Sequence, residues 1–231
     1  MARISHLLLI SSVSAALVAG CGTTTAPTGA EGDQATTTTT TTNSGEVVVL
    51  EQGTRIATIE SPDDLTSWGS YLLRVVATGE CERNVSPLGP GEELVGREVT
   101  VRVEEVLWAH PDALGGVSDG QVLPVYTFPG YLRSNGLATP AAEEGDLRME
   151  IGGRYVIAMA DDVTPEGEQT LTLLGTFPTD DDGFSLSDGT DLEFSTVSRA
   201  LDQSVEDAPS NSGPRPGESL VERLERYSGA P

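Results

Sequence analysis

The 231-residue sequence has no lysine, two cysteines and two histidines, and these shortages exclude several classes of function. Thirteen arginines face 36 acidic residues, and the resulting net charge of −23 repels the phosphate backbone of nucleic acids. The same charge provides no attraction to an anionic lipid surface. We therefore expect no nucleic-acid partner, and we expect solubility and mutual repulsion between molecules.

Histidine and cysteine are too sparse for a typical zinc site, which takes three or four protein ligands. After the first ten residues the only histidine is His110, which we place in a loop leaving a strand. The segment Gly116-Val117-Ser118-Asp119-Gly120 matches the nucleophile motif G-x-S-x-G, which requires a strand before the serine and a helix after it. A glycine-rich loop precedes Ser118 and a predicted strand follows it, so we interpret the match as a hairpin loop. No cofactor is expected.

A short apolar segment follows the single charged residue Arg3 near the start of the sequence. It is broken by serines and is shorter than the roughly 20 apolar residues that cross a bilayer, so residues 1–20 are typical of a removable export signal. The segment ends in Val18-Ala19-Gly20-Cys21, which resembles the lipobox of bacterial lipoproteins. This resemblance implies lipidation of Cys21 and attachment to the extracytoplasmic face of the cell membrane through acyl chains.

Residues 21–45 predict a disordered tether rather than a folded segment. The run Thr36 to Thr42 has no apolar side chain to bury, so it cannot offset the entropy lost on ordering. The tract is similar to the O-glycosylated tethers of actinobacterial surface lipoproteins. A plain spacer is the simpler interpretation.

Cys81 is the only cysteine left once Cys21 carries lipid, so we expect no intrachain disulfide. Its neighbours Glu80 and Glu82 disfavour the thiolate form. We interpret Cys81 as an unreactive thiol, with an intermolecular disulfide as the alternative.

Residues 46–201 are the one segment able to build a core, and their pattern predicts an all-β fold with one or two short helices. Serine, proline and two acids at 61–64 predict a short helix. Strands are predicted at 46–50, 55–59, 71–78, 98–108 with a bulge at 104–105, 121–128, 154–160, 169–176, 184–186 and 192–194. Frequent glycine turns between short strands favour a barrel or a sandwich.

The order of several segments resembles the OB-like barrel domain of many secreted bacterial proteins. These segments are a strand ending in Ala77-Thr78-Gly79, then Val99 to Leu107, Tyr126 to Gly130 and Gly153 to Ile157. The resemblance covers about residues 60–195 and implies a small antiparallel barrel, closed or partly open. It brings no catalytic motif.

Residues 202–231 predict a flexible acidic tail, because Pro, Ser and acidic residues dominate as far as Gly217. Ser219 and Glu222 have the spacing of a capping box, which predicts a short terminal helix. That helix either docks on the barrel or frays.

Two further segments contain candidate site residues. Asp180, Asp182 and Asp188 could supply several of the six to eight oxygens that calcium takes, but the EF-hand spacing fails, and a solvated turn is the alternative. The segment 129–148 predicts a long loop, and long loops are often functional. We name Tyr131, Arg133 and Asn135 as a candidate recognition loop, with an inert loop as the alternative.

These observations favour a non-enzymatic binding or interaction module on the outer side of a membrane, whose ligand is an envelope protein or a small molecule. An enzyme is less favoured, although two carboxylates suffice for glycoside hydrolysis. A carboxylate-based hydrolase would need a pocket in which at least one carboxyl pKa is raised. A structural component of the cell envelope is the third alternative.

Overall fold

A seven-stranded sheet forms the body of the fold, and six of its strands curl into a half-barrel. The computed structural model describes residues 48–50, 59–143, 147–187, 189–208 and 213–228, which belong to one compact unit. The strands are β1 (Val48–Leu50), β2 (Tyr71–Gly89), β3 (Glu92–Ala109), β4 (Val122–Ser134), β5 (Leu137–Glu143), β6 (Arg154–Val163), β7 (Gln169–Pro178), β8 (Gly183–Ser185) and β9 (Asp191–Glu193). The helices are α1 (Pro62–Trp68), α2 (Val197–Asp207) and α3 (Leu220–Ser228).

The sheet order is β1-β5-β4-β3-β2-β6-β7, and every pair except β1 with β5 is antiparallel. Strands β2, β3 and β4 form a meander, whereas β6 pairs with the other edge of β2 and turns back into β7. Strand β7 then approaches β4. This arrangement confirms the predicted all-β class and is consistent with a small OB-like barrel.

The two faces of the sheet contact different surroundings, because side chains alternate along each strand. The inner face holds an aliphatic core that includes Val75, Val99 and Val101. On the outer face, the helices and the β8–β9 hairpin pack over one end, where Leu72 and Trp108 are buried. The other end of the outer face, along β3 and β4, carries exposed side chains.

Several local predictions are confirmed. Ser61 caps α1, and its hydroxyl and the Asp64 carboxylate form a capping box. The pairing of β2 with β3 is irregular opposite Glu104, which is the predicted bulge. Strands β2 and β3 run further than predicted, however, because they stay paired up to Gly89 and Glu92, where β3 also pairs with the end of β4.

The predicted long loop at 129–148 is wrong, because most of the segment is a hairpin. Strand β4 continues to Ser134, and β5 pairs with its last four residues. Asn135 and Gly136 join them with φ values of 50° and 81°, the left-handed pair that a two-residue hairpin turn requires. The Asn-Gly dipeptide is typical of such a turn and could have predicted the hairpin. Pro129 and Pro140 nearby are typical of loops, and they favoured the loop prediction instead.

The predicted flexible stretch is wrong at residues 202–207, which are helical, whereas the predicted short terminal helix is confirmed and docks on the core. Helix α2 crosses the predicted boundary at residue 201 and buries Leu201. Ser219 and Glu222 form the predicted capping box, and α3 docks with Leu220 and Arg223 fully buried. The tail therefore contributes to the core, and the described residues form three short helices.

In the described part of the chain, no helix has the length and apolar character needed to cross a membrane. The predicted signal, Cys21, the tether and residues 55–58 lie outside the described ranges.

Candidate functional site

Tyr131 lies on the inner face of the sheet, not on an exposed loop. Its side chain is 9% exposed, and its hydroxyl donates to Glu80 Oε1 at 2.7 Å. The Arg148 guanidinium lies 4.7 Å from the centre of its ring. Burial, followed by the hydrogen bond to Glu80, raises the pKa of Tyr131. The ring is therefore a structural contact in its present position.

The other two predicted anchors are engaged nearby. Arg133 bridges Glu82 at 2.6 Å and Glu93 at 3.1 Å, which ties β4 to β2 and β3. Asn135 occupies the hairpin turn, where its backbone N–H donates to Gly91 at 3.0 Å. Their recognition role stays a prediction.

Beside Tyr131, an arginine is buried on the inner face. The Arg97 side chain is 1% exposed and pairs through Nε with the Glu80 carboxylate. Its Nη2 is buried and has no acceptor among the residues described. Arg97 alternates with Val95 and Val99, and this spacing is the signal that could have indicated a buried side chain. The predicted strand began at residue 98, however, and a charged residue is not typical of a core position. Arg97, Glu80, Tyr131 and Arg148 form a polar end to the barrel interior.

The acidic cluster is a turn in the structure. Asp180 Oδ1 accepts hydrogen bonds from the backbone of Asp182 at 2.9 Å and of Gly183 at 2.7 Å. These two bonds lower the pKa of the Asp180 carboxyl. Asp188 lies outside the described residues, and within them no group of three or more His, Cys, Asp or Glu residues could hold a metal ion.

His110 and Ser118 occupy the loop between β3 and β4, as predicted. The His110 ring is buried against Trp108, and its Nδ1 accepts from the Asp112 backbone at 3.1 Å. Burial lowers the pKa of His110. Ser118 is exposed in a turn, and its backbone N–H donates to the Gln121 side chain. Among the described residues, therefore, neither His110 nor Ser118 is paired as the base or the nucleophile of a catalytic site.

The interpretation of Cys81 as an unreactive thiol is wrong, because Cys81 is disulfide-bonded. A thioether and a disulfide at one sulfur exclude each other. The sequence has one other cysteine, Cys21, so a disulfide within the chain would use the sulfur that the predicted lipidation requires. With a lipidated Cys21, only the predicted alternative of an intermolecular disulfide is left for Cys81.

The surface that best fits a ligand was not singled out by the sequence. Val122, Pro124, Tyr126 and Phe128 alternate along the outer face of β4, and all four are exposed. The exposed fractions of Val122, Tyr126 and Phe128 are 55%, 44% and 38%. We call these four residues the β4 stripe. Apolar and aromatic side chains that share one exposed sheet face make the β4 stripe a candidate interaction surface.

The ring of Tyr126 lies across the backbone of β3. A Cβ atom on Gly96 would lie 2.4 Å from Tyr126 Oη and 2.9 Å from its Cε2, so only glycine leaves room for the ring. Asn84 Nδ2 donates to the same hydroxyl at 3.4 Å. The ring is thus supported from below and at its tip, while 44% of the residue faces solvent. This arrangement provides a fixed aromatic platform.

A polar column borders the β4 stripe on β3. Glu98, Thr100 and Arg102 pair with Tyr126, Pro124 and Val122 respectively. Arg83 on β2 donates to both carboxylate oxygens of Glu98, at 3.1 and 3.2 Å. The surface therefore offers a stacking platform next to hydrogen-bonding groups.

Comparison with known proteins finds no family model, no curated protein and no solved structure that matches this chain. The OB-like strand order describes the fold, and a fold alone does not specify a function.

Proposed function

We propose that this chain is a lipid-anchored, extracytoplasmic and non-enzymatic binding module whose ligand stacks on the β4 stripe. The observation that carries the binding proposal is the Tyr126 ring held across Gly96 on an uncovered sheet face. A ring that is already fixed loses little conformational freedom when a ligand stacks on it.

The anchor is supported by the sequence around Cys21. Val18-Ala19-Gly20-Cys21 resembles a lipobox and follows an apolar segment of signal length. Two or three acyl chains hold a protein firmly, since each buried methylene contributes about 0.8 kcal/mol. The threonine tract and the absence of lysine favour an actinobacterial source. In such a cell, the tether would hold the barrel away from the membrane surface.

The negative net charge of the chain limits which ligands the β4 stripe could bind. OB-like barrels bind oligonucleotides and oligosaccharides on the face of their second and third strands, which correspond here to β3 and β4. The net charge of −23 opposes binding of a polyanion. We therefore propose a neutral glycan of the cell envelope, stacked on Tyr126 and hydrogen-bonded by the polar column of β3.

Affinity electrophoresis of the full chain in gels containing a neutral glucan or galactan tests this proposal. We expect the polysaccharide to retard the wild type and Tyr126→Phe, because both carry a ring. Tyr126→Ala should lose the retardation. Val221→Lys, an exposed change on α3, is the control that should keep it.

Retardation that is unchanged in Tyr126→Ala would contradict the proposed platform. Absence of retardation in every neutral gel, together with capture of an envelope protein through Tyr126, would replace the glycan with a protein partner.

A carboxylate-based hydrolase has less support. Such an enzyme needs a carboxyl group whose pKa is raised so that it can donate a proton. The pKa values of Asp180 and Glu218 are instead lowered, which keeps both carboxylates ionised at neutral pH. Neither group has the property expected of a general acid.

A further inference from the structure

A buried histidine joins the end of β3 to residues 213–228, the segment that contains α3. His110 is 4% exposed, and its ring meets the Trp108 ring edge to face, with 5.7 Å between the ring centres. Its backbone N–H donates to the Ser70 carbonyl oxygen at 2.9 Å. After residue 6 it is the only histidine in the sequence, so a histidine titration in the folded part can be assigned to it.

Gly213 lies directly against the His110 ring. A Cβ atom on Gly213 would lie 2.4 Å from Cε1 and 2.6 Å from Nε2 of that ring. The Gly213 N–H donates to the Tyr227 hydroxyl at 3.0 Å, and its carbonyl oxygen accepts from Arg226 Nη2 at 2.8 Å. Because Arg226 and Tyr227 belong to α3, the contact with His110 and the position of the helix are coupled.

The side-chain hydrogen bond of His110 requires the neutral ring. Nδ1 accepts from the Asp112 backbone N–H at 3.1 Å. A protonated imidazole carries hydrogen on both nitrogens and has no acceptor left, so the added proton would face the Asp112 N–H. The ring would then have to turn or move, and the close approach of Gly213 leaves little space for either. The charged ring therefore does not fit the docked arrangement.

Charged side chains reach His110 from its own loop, from β6 and from α3. Burial is the main cause that lowers the pKa of His110 below its usual 6.5. The Asp112 carboxylate, whose Oδ2 lies 4.0 Å from Nδ1, opposes this shift, as does Asp161, whereas Arg223 adds to it. Two more charged groups on adjoining elements have partners of their own, since Asp202 accepts from Trp108 Nε1 and Glu218 accepts from Arg226.

We propose that mild acidification favours release of residues 213–228 from the half-barrel through protonation of His110. A basic group whose pKa is lowered in the docked state stabilises that state while the group is neutral. This stabilisation is complete above pH 6.5 and decreases as the pH falls from 6.5 through the lowered pKa of His110. Release would uncover Leu220, which is 1% exposed in the docked state.

The effect of His110 is separate from that of Glu218. The pKa of Glu218 lies below 4.5, so its carboxylate stays ionised over the interval in which His110 gains its proton. The inference also does not depend on the proposed binding function, because the β4 stripe takes no part in it.

Hydrogen exchange of the full chain, measured by mass spectrometry at pH 7.5 and pH 5.5, tests the proposal. Each exchange rate is corrected for the intrinsic pH dependence of amide exchange. We expect the protection of peptides from residues 213–228 to fall roughly fivefold to tenfold at pH 5.5. Peptides from β2 and β3 should keep their protection at both pH values.

Gly213 and Gly217 provide a matched pair of variants. Their φ values are 89° and 77°, so alanine has a similar backbone cost at either position. Nothing lies within 4 Å of a Cβ on Gly217, whereas a Cβ on Gly213 meets the His110 ring. Gly213→Ala should therefore lower the protection of the segment already at pH 7.5, and by more than Gly217→Ala does. Gly217→Ala should keep the response to pH.

His110→Gln removes the titration and keeps a side-chain acceptor, so we expect it to give the same protection of residues 213–228 at both pH values. Four results would overturn the proposal. These are wild-type protection of the segment that does not change with pH, an equally large loss in β2 and β3, a pH response that persists in His110→Gln, and equal losses in the two glycine variants. The wild-type measurement decides even if His110→Gln fails to fold.

Discussion

Gly96 and Tyr126 form the contact on which the proposed binding surface depends. A methyl group at Gly96 would meet Tyr126 Oη at 2.4 Å and the Arg83 backbone oxygen at 2.8 Å. The tyrosine can swing away, but the backbone oxygen belongs to a paired strand and has little freedom to move.

We therefore expect Gly96→Ala to lower the free energy of unfolding by about 1–3 kcal/mol and to displace the Tyr126 ring. Urea unfolding measures the first effect, and the NMR shifts of the Tyr126 ring measure the second. A variant with wild-type stability and wild-type ring shifts would show that the ring does not depend on the glycine.

Glu80 and Arg97 form an ion pair whose two members differ strongly in burial. The exposed fraction is 32% for the Glu80 side chain and 1% for Arg97. Removal of either partner leaves the other charge unpaired, and the penalty grows with burial of the charge left behind.

We expect Glu80→Leu to destabilise the fold by about 3–5 kcal/mol, because it leaves the buried Arg97 guanidinium without its carboxylate partner. Arg97→Met should cost less, since Glu80 can turn toward solvent and the unsatisfied Nη2 is removed. Denaturant unfolding of both variants under the same conditions provides the comparison. If Arg97→Met is the more damaging change, packing rather than charge dominates at this position.

Glu218 joins the segment before α3 to Arg226 on the helix, and this contact depends on pH. Burial opposes ionisation of Glu218, but the hydrogen bonds and charge of Arg226, with the charge of Arg223, outweigh it and lower the pKa of Glu218 below its usual 4.5. Both Arg226 bonds to the carboxylate measure 2.8 Å. A carboxyl group whose pKa is lowered in the folded state stabilises the fold above its unfolded pKa.

We expect Glu218→Gln to lower the free energy of unfolding by about 1–3 kcal/mol at pH 7. The difference from the wild type should shrink as the pH falls below about 4.5 and passes the folded pKa. Thermal unfolding from pH 7 to pH 3 measures this difference. A gap that stays constant over this range would mean that ionisation of Glu218 does not hold α3.

The alternation of apolar and polar residues allowed several strands to be predicted from the sequence. Val99, Val101 and Val103 predicted the inner face of β3, and Ser61 with Pro62 predicted the start of α1. The Asn135-Gly136 turn was also encoded locally, but nearby prolines obscured it. The sequence therefore predicted where β2, β4, β6 and β7 begin to within a residue, but not where β2 and β4 end, and it missed β5 and α2.

Contacts between distant segments could not be predicted in the same way. Arg97 and Arg223 are arginines at buried positions. Arg97 pairs with Glu80 across the β2–β3 pairing, and Arg223 donates to the backbone of Trp68, which lies 155 residues earlier in the sequence. The Tyr126 platform requires the register of β4 on β3 to bring the ring over Gly96. The candidate site was missed because it is created by strand pairing and not by a motif.

In the part of the chain that the structure describes, the outer face of the sheet has two regions. The helices cover one end of this face, and the β4 stripe occupies the other. The net charge of −23 opposes binding of a polyanion at the β4 stripe. The proposed extracytoplasmic role adds one requirement, which is that the sulfur of Cys21 carries lipid.

Intact-mass measurement of the chain extracted from membranes, after reduction, decides whether Cys21 is modified. Reduction opens any disulfide at Cys81 but leaves a thioether intact, so the two chemistries can be separated. We expect the mass of residues 21–231 plus a diacylglyceryl group, with or without one further acyl chain, and a Cys21→Ser variant that keeps residues 1–20 and lacks the lipid. A wild-type chain that has the unmodified mass, whether it begins at residue 1 or at residue 21, would contradict the lipid anchor.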